Sequence, residues 1–100
     1  MEPMEPADVA DELARTDGWT GDIHAITRAA TLPTFMAAIQ TVDRIAVAAE
    51  EADHHPDIDI RWRTLRLTLS THAAGNRVTS RDLALAHRID EIVRLATDNV

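Results

Sequence analysis

Between Asp57 and Thr71 the apolar residues recur at every second position, and their parity changes once. Ile58, Ile60 and Trp62 share one parity; Leu65, Leu67 and Leu69 share the other. Period two sends alternate side chains to opposite faces of a strand. One unbroken strand cannot bring both sets to one face, so a bulge or turn must separate them. Arg63-Thr64 is the expected two-residue hairpin loop, although neither residue is the Gly or Asn usual there. Thr64, Arg66, Thr68, Ser70 and His72 then lie opposite the leucines, and His72 ends its strand on the polar face.

Helical spacing flanks this hairpin on both sides. Residues 7–15 read as a short helix, with Val9 and Leu13 four apart and Gly18 closing the unit. Residues 23–30, IHAITRAA, read as a strand. A longer helix is expected from near Pro33, tolerated in a first turn because its missing N–H would be unpaired there. Phe35, Ile39, Val42, Ala46 and Ala49 form its expected buried stripe, with Met36 and Ile45 beside it. It must stop before Pro56, which pushes the preceding residue out of the helical region. The last helix opens at Thr79, with Asp82 three residues on in an approximate capping box. Leu85, Ile89, Ile92 and Ala96 give its stripe. This order predicts an α+β fold, an antiparallel sheet of about four strands with helices packed on one face. The chain of 100 residues is the size of one domain, expected over 7–100. Residues 1–6, where Met-Glu-Pro occurs twice, are expected to be a disordered tail.

What the chain lacks bounds its chemistry. All ten bases are arginine, and there is no lysine, cysteine or tyrosine. Schiff bases, thiol catalysis, disulfides, cysteine-zinc sites and Fe–S clusters are therefore excluded. A net charge of −7 disfavours non-specific binding to nucleic acid. The acidic N-terminus lacks the n- and h-regions of a signal peptide, and no apolar run reaches the roughly 18 residues of a membrane span. The expectation is a cytoplasmic protein with neither membrane nor nucleic acid as partner. The charge is uneven: residues 1–60 hold 13 acids and three arginines, residues 61–100 four acids and seven arginines. Either these are two solvated faces, or Arg61, Arg63 and Arg66 attract an anionic ligand or a neighbouring subunit's acids.

Histidine is what remains. His54-His55-Pro56 stands where the long helix gives way to a strand, a junction that is usually exposed. If residues 57–71 form a hairpin, the chain returns to that junction and His72 arrives beside His54 and His55. Three readings compete. The histidines can be surface groups that cap polar backbone. They can form a zinc or copper site; adjacent His54 and His55 diverge in extended chain, and Glu50 or Asp53 could substitute for one of them. They can also perform acid–base catalysis without metal, for which imidazole titrates in the right range.

Glu50-x-x-x-His54-His55-Pro56, Trp62, Leu69-Ser70-Thr71-His72 and Ser80-Arg81-Asp82-Leu83-Ala84-Leu85-Ala86 together resemble the signature of the pterin-4a-carbinolamine dehydratase family. The likeness runs from Gly18-Trp19 to about Ile92 and includes Ala46-x-x-Ala49-Glu50. It implies dehydration of 4a-hydroxytetrahydrobiopterin to quinonoid dihydropterin and water, in tetrahydropterin recycling, with no metal and no cofactor. An acid protonates the departing 4a-hydroxyl and a base accepts a ring-nitrogen proton. The resemblance makes His54 and His72 this acid–base pair, without saying which is which. His55 completes the catalytic set by binding and orienting the pterin. Asp53, Pro56, Ser70 and Thr71 match substrate-binding positions. Asp82, placed at the same site, either holds a histidine in its useful tautomer or caps the helix. Family members assemble, so a homodimer or homotetramer is implied. The alternative is a non-catalytic relative acting as an assembly factor or dimerisation partner, of the Rubisco-assembly type. Two departures concern the segment after His72: Ala73 replaces a common acidic residue, and Ala73–Val78 is one residue longer than in animal members.

Overall fold

A computed structural model describes residues 2–98. Its elements are α1 (Pro6–Ala14), β1 (Thr20–Gly21), β2 (Ile26–Thr31), α2 (Phe35–Ala52), β3 (Asp57–Arg61), β4 (Thr64–Leu69) and α3 (Ser80–Asp98), with a 3₁₀ turn at His72–Ala74. The strands form one antiparallel sheet in the order β1-β2-β4-β3. This is the expected α+β arrangement. Ile26 and Ala30 of β2 and Leu65, Leu67 and Leu69 of β4 are buried against Val9, Ala38, Ile45, Leu85, Ala86 and Ile89 from the three helices. Thr27, Thr31, Thr64, Arg66 and Thr68 occupy the opposite, open face, where Thr27 pairs with Thr68 and Thr31 with Thr64 through their hydroxyls.

The hairpin explains the parity switch without a bulge. Ile60 opposes Leu65 and Arg61 opposes Thr64, so the loop is Trp62-Arg63, one residue earlier than predicted. A two-residue loop pairs positions of opposite parity, which carries both apolar sets to one face. Trp62 takes φ +57° at the first loop position, where glycine is usual, and is 74% exposed with the Arg63 guanidinium over its ring. Arg63 also ties this loop to the sheet–helix link: its carbonyl accepts from Leu32 N–H, and its Nη1 donates to the Leu32 carbonyl.

Three other expectations shift. The strand expected at 23–30 is displaced to Ile26–Thr31, and Thr20–Gly21 adds a short strand before it. Asp22–Ala25 make the connecting turn, in which a Cβ on Gly21 would stand 2.1 Å from the Ala25 carbonyl oxygen. Helix α2 begins after Pro33, with Thr34 as cap accepting from Ala37 N–H. Its buried stripe is Ala38, Thr41, Ile45, Ala48 and Ala49, whereas Phe35 is half exposed and Ala46 exposed. Strand β4 stops at Leu69, so His72 leads a 3₁₀ turn and does not end a strand.

At the N-terminus, Met4 donates its N–H to the Val78 carbonyl and accepts from Arg77 Nη2, which ties down the segment expected as a tail. Met1, Asn99 and Val100, which that tail and the expected domain include, lie outside the described residues. No described helix is long and apolar enough to cross a membrane.

Candidate active site

The site is built where α2 ends. Asp53 adopts a left-handed conformation (φ 49°, ψ 45°) just past the helix, tolerable for Asp because its short polar side chain suits that region. His54 N–H then bonds the Ala49 carbonyl at 3.0 Å and Asp53 N–H the Glu50 carbonyl at 3.2 Å, the pattern of a Schellman cap. His54 is thereby fixed in backbone position, and Pro56 prevents the helix from resuming.

Helix α3 begins beside this corner. Asp82 Oδ2 accepts Thr79 N–H at 2.9 Å, the expected capping interaction. The same carboxylate reaches the site, because its Oδ1 lies 2.5 Å from His54 Nε2. One carboxylate therefore both caps the helix and contacts a histidine. A carboxylate only accepts, so proton positions follow. His54 carries its hydrogen on Nε2, leaving Nδ1 as the ring nitrogen without a partner among the described residues. Thr71 Oγ1 donates to Asp82 Oδ2 at 2.8 Å, which obliges Thr79 Oγ1 to donate to Thr71 Oγ1, also at 2.8 Å. His54, Thr71, Thr79 and Asp82 are all buried. In such surroundings a satisfied network holds its members rigidly, and an unpaired member is costly.

The clasp runs both ways. Arg81, next to Asp82, donates Nη2 to the carbonyls of Ala52 and Asp53, the orphan acceptors at the end of α2. His55, exposed, has Nε2 2.9 Å from Glu50 Oε2 and so keeps its hydrogen there. His72 is exposed, with Nδ1 2.6 Å from Asn76 Oδ1. Ser70 Oγ donates to the His24 carbonyl.

Asp53, His54, His55, Pro56, Ser70, Thr71 and His72 line one cavity of about 360 Å³, together with Asp57, Ala73 and Arg81. Every site residue expected from the sequence is there except Asp82, which lies beneath it holding His54. All three imidazoles belong to its wall. Among the described residues no three His, Asp or Glu side chains are grouped as a metal ion would require. Sequence reasoning missed Arg81 and Asn76 as parts of the site. Arg81 was visible only inside its Ser-Arg-Asp run, and nothing in the spacing marks Asn76. Of the arginines considered as attractors, Arg61 bonds Asp59 and Arg63 bonds Leu32, while Arg66 faces the open sheet; none lines the histidine cavity. A larger cleft of about 680 Å³ lies against β2 and α3, with Arg28 and Asp90 in its wall and no histidine.

Fold and site thus define an α+β protein with a histidine-walled pocket at one end of an antiparallel sheet. The family profile described as Pterin 4 alpha carbinolamine dehydratase matches residues 2–92. A protein of Nocardia farcinica, provisionally named a pterin-4-alpha-carbinolamine dehydratase, is 50% identical over 93% of this chain and 97% of its own length. One of the same provisional name from Roseiflexus castenholzii is 46% identical over 90% and 96%. The chain belongs to the pterin-4a-carbinolamine dehydratase family. Among solved structures, a transcriptional coactivator/pterin dehydratase from Brucella melitensis superposes with a TM-score of 0.85 at 29% identity, covering 90% of this chain and 97% of that one. A pterin dehydratase-like protein identified as a RuBisCO assembly factor in the alpha-carboxysome superposes at 0.64 and 19% identity, covering 77% and 90%, a likeness of fold.

Proposed function

We propose that this protein dehydrates 4a-hydroxytetrahydrobiopterin to quinonoid dihydropterin. The observation that carries the reading is the cavity shared by His54, His55 and His72, with His54 anchored on buried Asp82. A volume of about 360 Å³ is suited to a small bicyclic ring. In the reaction the C4a–O bond breaks, the N5–H proton leaves and a C4a=N5 double bond forms, so one water is released. His54 is the acid: when protonated, its Nδ1–H donates to the departing hydroxyl, while Asp82 orients the ring and offsets its charge. His72 is the base. Its Nδ1 faces an amide oxygen that can only accept, so the neutral ring keeps Nε2 unprotonated to receive the N5 proton. Solvent exchange then restores both rings. His55 orients the pterin beside them, with Asp53, Pro56, Ser70 and Thr71 as the polar and rigid wall. Each proton transfer by a positioned group is worth about 10²–10⁴-fold.

The test is the decay of freshly generated 4a-hydroxytetrahydropterin. The protein should accelerate it, and His54→Ala or His72→Ala should each remove most of that acceleration. Wild-type protein no faster than buffer refutes the reading, and a stoichiometric partner recovered with inactive protein turns it to the assembly role. We infer in addition a homodimer or homotetramer that covers Phe35, Met36 and Val47, exposed by 50%, 62% and 59%. Light scattering that finds a monomer at micromolar concentration refutes that.

A further inference from the structure

The segment after His72 is a closed loop whose shape is set by two consecutive left-handed residues. Thr71 and Arg77 form an isolated bridge, with Thr71 N–H bonding the Arg77 carbonyl at 3.0 Å. Within it, Gly75 has φ +72° and Asn76 φ +59°. Asn76 N–H returns to the Thr71 carbonyl at 3.1 Å. Asparagine is among the few residues with a side chain that enter this region readily. The turn brings its amide over the imidazole at the loop's start, where Oδ1 meets His72 Nδ1 at 2.6 Å. One residue therefore meets two requirements, a left-handed backbone and a side-chain acceptor four positions after the histidine.

We propose that Asn76 is the positioning residue for His72: it holds the ring hydrogen on Nδ1 and so presents unprotonated Nε2 to the cavity. An amide oxygen has no hydrogen to give, so the bond exists only when His72 Nδ1 carries one. His72 is exposed, and no other described group bonds its ring. Without Asn76 the hydrogen is free to move to Nε2, and that tautomer cannot accept a proton at the cavity. Which nitrogen of the ring stays unbonded is set by the bond the other one makes. This inference rests on the dehydratase reading with His72 as base, but its tautomer readout does not need activity.

Two variants separate backbone from acceptor. Asn76→Gly keeps the left-handed conformation and removes the oxygen; Asn76→Asp keeps an acceptor and adds charge. Long-range ¹H–¹⁵N spectra of substrate-free protein, with His72 assigned by its loss in His72→Ala, report which nitrogen is protonated. In the wild type and in Asn76→Asp, neutral His72 should be protonated on Nδ1. In Asn76→Gly the population should move toward Nε2, with kcat falling roughly two- to tenfold, the worth of one such hydrogen bond, and KM nearly unchanged. Asn76→Asp should retain kcat but shift the acidic limb of the rate profile to higher pH, since a carboxylate favours the protonated ring and His72 must be unprotonated to act as base. A wild-type His72 protonated on Nε2, or an Asn76→Gly spectrum and kcat equal to wild type, overturns the proposal. If the tautomers behave as stated but wild-type protein lacks dehydratase activity, Asn76 still orients the ring and the dehydratase reading is what fails.

Discussion

Asp82→Asn changes one heavy atom and should weaken the charged cap at the helix start while breaking its link to the site. The carboxylate is fully buried and accepts from three donors: His54 Nε2–H, Thr71 Oγ1–H and Thr79 N–H. Asparagine keeps one acceptor oxygen. That oxygen belongs where two donors converge, at Thr71 and Thr79, which turns the new NH₂ toward His54 Nε2. Two N–H groups then face one another unless His54 moves its hydrogen to Nδ1. Bonds to a charged acceptor are worth about 1.5–3 kcal/mol and neutral ones about 0.5–1.5; part of the difference is offset because a buried charge is no longer desolvated. A net loss of about 1–3 kcal/mol follows, which is a drop in Tm of roughly 5–20 °C for a domain of this size. The proposed dehydratase rate should fall about 10- to 100-fold, since the ring loses the charge that balances its protonated form. Thermal melts at one fixed protein concentration, spectra of the His54 ring and decay rates of the hydroxypterin measure all three. Thr71→Val is the control: it deletes one donor of the network, so it should melt earlier but leave His54 protonated on Nε2. An Asp82→Asn protein that melts with wild type and keeps the Nε2 hydrogen refutes the assigned proton positions.

Gly21→Ala should destabilise by more than about 1 kcal/mol, because φ +143° and the Ala25 carbonyl both exclude a Cβ; an unchanged urea midpoint would contradict this. Asp90→Ala should cost about 1–3 kcal/mol, since Trp19 Nε1 and Arg28 Nη1 both donate to that carboxylate from partly buried positions. Its signature is a red shift in the fluorescence of Trp62→Phe protein, where buried Trp19 is the sole indole. The backbone N–H of His24, joined by that of Ala25, holds the exposed Asp22 carboxyl below its ordinary range. With the folded value depressed, its contribution is present above the unfolded value and fades as pH falls through the folded one; an NMR titration midpoint at or above that of free aspartate would deny it.

The periodicities of the chain named its elements better than their faces. The hairpin was legible because Leu65, Leu67 and Leu69 alternate with polar residues, and two-residue loops leave an odd–even signature. Helix α2 shows the limit. Its expected stripe, led by Phe35, lies about a quarter turn from the buried one. Ranking by hydrophobicity favours large residues, whereas close packing on the sheet selects Ala38, Ala48 and Ala49 with Thr41, whose hydroxyl is satisfied by the Ala37 carbonyl. The candidate site was legible as a set of residues through the family resemblance and the hairpin's return. Its wiring was not, because the direction of each hydrogen bond depends on partners 28 and 11 positions apart along the chain. Asn76 was hidden for a different reason: its role depends on a backbone conformation that no periodicity encodes.

The reciprocal bonds between the end of α2 and the start of α3 mean that the pocket has no local existence. A fragment ending at Val78 would retain His54, His55 and His72 and still lack the acceptor for one ring and the donor for the carbonyls beneath it. Its His54 imidazole would have lost the carboxylate that orients it. The protonation pattern of His54 is therefore a gauge of the whole domain: it reports that residues on both sides of the sheet-forming hairpin have found each other.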